Sequence, residues 1–193
     1  MADLHSKVAL VTGAGKGTGR AVAQALAGRG AALALNDISP VNLDATVETI
    51  ARAGGRVKAC VADIARKMPV QGLLNEVLDA FGGIDILVNC AEVEPQKTLL
   101  EMDEWDFLRT LDVNLNGAFL LTQSLGRIMK DKGGGTIIHF GARPKGLEKR
   151  GAYFASKAAL QALVQSAQVE FAPFGVRVLL VDSVQACLEA CDP

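Results

Sequence analysis

Short, mainly apolar runs alternate along the chain with longer stretches whose apolar residues recur at helical spacing. The short runs are residues 8–11, 31–36, 57–61, 84–88, 136–140 and 176–181, and each predicts a strand. Helices are predicted over about residues 17–29, then 42–53, 70–81, 104–130 and 152–172. The clearest is the third, where Val70, Leu73, Leu74, Val77, Leu78 and Phe81 follow the i, i+3, i+4, i+7 rule. In the long fourth stretch Trp105, Leu108, Leu111, Leu115 and Phe119 fall on or near one face, and Gly133, Gly134 and Gly135 break it. Pro173, Phe174 and Gly175 end the last helix, and residues 182–193 are short and weakly patterned.

Strands that are apolar on both faces and separated by helices imply a parallel sheet covered on both sides. Right-handed crossovers then give an α/β, doubly wound, Rossmann-type sheet of six strands in the order 3-2-1-4-5-6, with helices on both faces. At 193 residues, with no visible linker or low-complexity segment, residues 1–193 read as a single domain.

Composition narrows the function classes. Twenty basic residues against twenty-one acidic ones leave a formal net charge of −1, so no basic surplus favours nucleic acid. The polar start, Met1 to Lys7, runs straight into a strand, and neither a signal peptide nor a membrane span is visible; a cytoplasmic protein is expected. Cys60 and Cys90 sit in or at the end of apolar runs, where thiols pack as small hydrophobes. The spacing of Cys187 and Cys191 suits a metal, a disulfide or plain packing. With only His5 and His139 as imidazole partners, packing is favoured and no metal site is expected.

The chemistry begins where the first strand turns into the first helix, at Thr12-Gly13-Ala14-Gly15-Lys16-Gly17-Thr18-Gly19. Glycines there let the backbone turn tightly against a pyrophosphate, and the helix N-terminus offers N–H groups to the anion. Asp37 ends the second strand, where a carboxylate accepts hydrogen bonds from an adenosine ribose diol and repels a 2′-phosphate. That favours NAD, with NADP as the alternative because Lys16 offers a cation in the loop. Farther along, Tyr153-Phe154-Ala155-Ser156-Lys157 sets a phenol and an ammonium at i and i+4, on one helix face. A neighbouring ammonium favours the phenolate and so suits the phenol to acid–base work.

The Thr-Gly-x-x-x-Gly-x-Gly loop and the Tyr-x-x-x-Lys pair together resemble the short-chain dehydrogenase/reductase family, over nearly the whole chain. The resemblance implies an NAD(P)-dependent oxidoreductase that moves hydride between nicotinamide and a small alcohol or ketone. It implies cofactor contacts at Gly13, Gly15, Lys16, Gly17, Thr18, Gly19, Asp37, Asp63, Ile64, Asn89 and Ala91. Asp63 and Ile64 would meet the adenine; Asn89 and Ala91 match the family's Asn-Asn-Ala-Gly, with Cys90 and Glu92 replacing its second Asn and its Gly. Tyr153 would be the acid/base, Lys157 would tune it and bind the nicotinamide ribose, and Asn114 would hold a relay water.

Departures from the family pattern motivate an alternative reading, a catalytically degenerate dinucleotide sensor or scaffold. The family's serine after the fifth strand is missing: ungapped counting puts Phe140 there, and matching strand ends puts Gly141 and Ala142 there. Between Ile137 and Ala155 only Tyr153 carries a side-chain hydroxyl, and His139 fits a strand asparagine of the family instead. The Pro-Gly after the sixth strand is replaced by Asp182-Ser183-Val184, and the usual C-terminal lid and seventh strand are expected to be absent. The resemblance also implies a homodimer or homotetramer through the long helices at 104–130 and 152–172, where Leu120, Leu121, Leu125, Leu160 and Leu163 are read as surplus apolar surface.

Overall fold

The computed structural model describes residues 3–142 and 146–192. Met1, Ala2 and Pro193 lie outside the described residues, as do Arg143, Pro144 and Lys145 in the stretch searched for a hydroxyl. The six strands are β1 (Val8–Thr12), β2 (Ala32–Asp37), β3 (Val57–Val61), β4 (Ile86–Asn89), β5 (Gly135–Phe140) and β6 (Val176–Val181). They form one parallel sheet in the order β3-β2-β1-β4-β5-β6, as expected. Val11 of β1 sits in register between Leu35 of β2 and Val88 of β4.

The helices are α1 (Gly17–Gly28), α2 (Pro40–Arg52), α3 (Lys67–Phe81), α4 (Glu104–Leu111), α5 (Ala118–Lys132), α6 (Gly151–Phe171) and α7 (Val184–Ala190). They divide into two layers, and β1 shows why its run is apolar throughout. Leu10 packs with Leu74, Val77, Leu121 and Val164 on one side, while Ala9 and Val11 pack with Val22, Leu26 and Ile50 on the other. Burying a leucine fully in either layer contributes about 1.5–3 kcal/mol. Among the described residues no helix is long and apolar enough to cross a membrane.

The long stretch at 104–130 is two helices rather than one. A π turn, Asp112–Gly117, separates α4 from α5. The Asn114 and Asn116 side chains leave the helix line there to bond Val93 and Ala65, and Gly117 lies against Ile64, where a Cβ would come within 3.0 Å of its side chain. The same region corrects the surface reading. Leu121, Leu125 and Leu160 are fully buried in the core, because α5 and α6 bury one shared face against β5, β6 and α3. Leu120 and Leu163 are only partly exposed; on these helices the largest apolar exposure is at Val169 on α6 and Trp105 on α4, followed by Leu108.

The weakly patterned tail is also ordered. Ser183 caps α7 by accepting from the Ala186 N–H at 3.2 Å, and Cys187, Leu188 and Cys191 are buried with α1 residues. Arg29 donates to the Leu188 carbonyl at 2.7 Å and pairs with Asp192. Two helical turns hold too few apolar positions to reveal a period. The four cysteines are free thiols.

Candidate active site

A groove of about 490 Å3 opens at the carboxyl ends of β1 and β4, where the order of strands reverses. That is the crevice in which open α/β sheets bind ligands. Its floor is the loop between β1 and α1. Gly13 has φ of +63°, and a Cβ there would stand 2.8 Å from the Ala91 backbone. Gly19 lets the first turn of α1 close on the loop, since its Cβ would meet the Gly13 carbonyl oxygen at 2.2 Å. Lys16, Gly17 and Thr18 line the groove, and no side chain caps α1, so its first N–H groups carry no side-chain partner at the helix start. These features fit an anionic diphosphate.

Two residues that the sequence did not single out hold this loop. Arg20 donates to the Gly15 carbonyl and, at 3.0 Å, to Thr46, whose hydroxyl donates to the Ala14 carbonyl at 3.0 Å. Asp37 closes the other side, with one carboxylate oxygen accepting from the Gly15 N–H at 2.9 Å and the other from the Ser39 N–H at 3.0 Å. Asp37 remains on the groove wall, able to accept further donors. Asp63 and Ile64 form the far wall with Arg109, another residue the sequence did not reveal. The Arg109 fork donates to both Asp63 oxygens at 3.1 and 3.3 Å, and the Ala65 N–H adds a third bond. Burial pushes the Asp63 carboxyl up, but Arg109 and Ala65 outweigh it and hold the group below the usual carboxylate range.

Behind the groove runs a buried polar chain. Thr12 donates to the Asn89 side-chain oxygen Oδ1 at 2.5 Å, the Asn89 side-chain amide nitrogen meets His139 Nδ1 at 3.2 Å, and His139 Nε2 meets Thr122 at 2.9 Å. Thr122 donates onward to the Ala118 carbonyl at 2.7 Å. An amide donor at Nδ1 places the imidazole proton on Nε2. Asn89 therefore ties β1 to β4 and β5 from below and is not on the groove surface, while Ala91 lines it. His139 is fully buried in this chain, so it offers no donor in place of the missing hydroxyl.

The phenol and ammonium lie beyond the groove. Tyr153 is fully buried and Lys157 is 5% exposed. Lys157 Nζ donates to the Phe140 carbonyl at 2.8 Å and to Glu92 Oε2 at 2.9 Å. The Tyr153 hydroxyl faces that same Glu92 oxygen at 3.5 Å. Glu92, not Tyr153 or Lys157, lines the groove among the described residues. Arg150 lies 4.7 Å over the Tyr153 and Phe154 rings and pairs with Glu94. Burial and the Glu92 carboxylate push the Cys90 thiol up, so it stays protonated near neutrality.

Asn114 is buried and clamps the segment that follows β4. Its oxygen accepts from the Val93 N–H at 2.8 Å, and its amide donates to the Val93 carbonyl at 2.9 Å and to Ser156 at 3.0 Å. Ser156 in turn donates to the Tyr153 carbonyl at 2.7 Å. The side chain is thus engaged in fixing the backbone between Glu92 and Glu94. After β5 the Gly141 N–H bonds the Val181 carbonyl at 2.8 Å, which carries the pairing with β6 one residue past Phe140.

The family model for short chain dehydrogenase matches residues 7–184, and the chain belongs to that family. An uncharacterized oxidoreductase of Thermotoga maritima is 38% identical over 178 residues, covering 91% of this chain and 70% of the relative. A crystal structure of NAD+-bound xylitol dehydrogenase superposes with a TM-score of 0.88 at 32% identity, covering 93% of this chain and 70% of that one. A metagenomic short-chain oxidoreductase in complex with NADP gives 0.91 at 30% identity, covering 98% of this chain and 93% of that one.

Proposed function

We propose that the protein is an NAD(P)-dependent oxidoreductase acting on a small alcohol or ketone, with polyols the first class to test. The observation that carries this reading is the Tyr153 and Lys157 pair, i and i+4 on α6, with both polar ends directed at one carboxylate oxygen on the groove wall. The nicotinamide supplies the hydride acceptor or donor. Gly13, Gly15, Lys16, Gly17, Thr18 and Gly19 would hold the diphosphate, and Asp37 the adenosine ribose, which favours NAD while Lys16 leaves room for NADP. Asp63, Ile64 and Ala91 would bound the adenosine and ribose. Tyr153 would move the proton at the substrate oxygen, and Lys157 would hold a ribose hydroxyl. Asn89 and Asn114 act by positioning, through Thr12 and Val93. The xylitol dehydrogenase likeness supports a polyol substrate.

We take residues 1–193 as one nucleotide-binding unit that assembles as a homodimer or homotetramer. Trp105 and Leu108, one turn apart on α4 and 70% and 50% exposed, support self-association. Four free thiols support a reducing cytoplasm. A panel of three- to five-carbon polyols and ketones with NAD(H) and NADP(H) tests the reading. Hydride transfer with at least one pair is expected; none with either cofactor overturns it.

A further inference from the structure

The nicotinamide end of the groove is closed by the chain itself. Lys157 has three N–H donors; one binds the Phe140 carbonyl and a second binds Glu92 Oε2. The Tyr153 hydroxyl points at the same oxygen. So the two groups that would meet a ribose diol and a substrate oxygen converge on one internal carboxylate. The backbone on either side of Glu92 is fixed. Ala91 abuts Gly13, so closely that a Cβ on the glycine would stand 2.8 Å away, and Val93 is held at both N–H and C=O by Asn114. Lys157 is nearly buried while Glu92 keeps about a fifth of its side chain exposed toward the groove. Displacement of Glu92 therefore falls to its side chain rather than to the backbone on either side.

We infer that Glu92 is an internal ligand of the Tyr153–Lys157 pair, one that a nicotinamide riboside must displace and an ADP-type ligand need not. The inference rests on the dinucleotide reading above. The two halves of the groove then differ. The Gly13–Gly19 loop and Asp37 take an adenosine diphosphate freely, whereas the nicotinamide half binds only at the expense of a desolvated ion pair. Glu92 becomes a specificity-determining residue that offsets the nicotinamide's contribution to binding until a substrate's own contacts help displace it.

Calorimetric titration with NADH and with ADP-ribose, on the wild-type and Glu92→Gly proteins, tests this. A charge-assisted hydrogen bond of this kind corresponds to roughly a tenfold or greater change in affinity. The wild-type protein is expected to bind the two ligands within about threefold of each other. Glu92→Gly should tighten NADH about tenfold or more and leave ADP-ribose unchanged, with Glu92→Gln, which keeps the size and loses the charge, in between. An unchanged NADH to ADP-ribose ratio in Glu92→Gly overturns the inference while leaving the oxidoreductase reading intact. If neither ligand binds either protein, the dinucleotide reading fails, and the contact is judged on the only tyrosine in the chain. Nitration of Tyr153 by tetranitromethane, followed by mass, should be slower in the wild type than in Glu92→Gly. Equal rates overturn the contact itself.

Discussion

Burial and the nearby Lys157 charge lower the His139 imidazole to about 3. In the unfolded chain the same group titrates near ~6.5. Between those values the unfolded chain binds a proton that the native one does not, so native stability is full above the unfolded value and falls as the pH drops toward 3. The slope is at most about 1.4 kcal/mol per pH unit, which amounts to roughly 2 kcal/mol between pH 6.5 and pH 5. Denaturant unfolding at those two pH values measures it. In His139→Asn, which keeps a polar group between Asn89 and Thr122, the pH dependence should shrink by about that amount. The same loss in both proteins would show that His139 is not buried in its neutral form. The wider lesson at this scale is that a polar residue in an apolar strand needs partners, and His139 finds two, Asn89 and Thr122.

Two elements depart from what periodicity predicts, and each does so through contacts distant in sequence. The π turn at Asp112–Gly117 is where the helix yields Asn114 to Val93, so the break serves the loop that carries Glu92. Helix α7 is held to α1 by Arg29, whose side chain is 9% exposed and whose partners are the Leu188 carbonyl and Asp192. Arg29→Ala removes a charge-assisted pair and leaves a helix-terminal carbonyl without its donor. A loss of about 1.5–3 kcal/mol in denaturant unfolding is expected. A change within a few tenths would mean that α7 is held by its apolar side chains alone, through Cys187 and Leu188.

At the scale of the molecule, the sheet was legible because its signal is local. Each strand is a mainly apolar run bounded by helix or loop, and the glycine loop falls between the first strand and helix. Tyr153 and Lys157 were legible for the same reason, being one helical turn apart. What the sequence hid lies across the fold. Glu92 reaches Lys157 and Tyr153, Arg109 reaches Asp63, and Arg150 reaches Glu94, each pair far apart along the chain. No window of sequence joins such residues, although the glutamate in place of the family's glycine marked the position. The extent of burial is hidden likewise: helical period shows which side is apolar, not how much of it the neighbours cover, so Leu121, Leu125 and Leu160 are core while Trp105 and Leu108 are exposed. Light scattering on the wild type and on Trp105→Asp should show an oligomer that dissociates in the variant. A wild-type monomer at micromolar concentration would remove the assembly from the account.

In the proposed reaction Tyr153 transfers the proton that accompanies hydride transfer. The most direct test of that role is turnover by Tyr153→Phe, on the best substrate from the polyol and ketone panel, alongside ADP-ribose binding to confirm an intact groove. Loss of an acid–base group lowers turnover by about 10²–10⁴-fold. A loss of that size is expected, with ADP-ribose affinity unchanged. Turnover equal to wild type would contradict it.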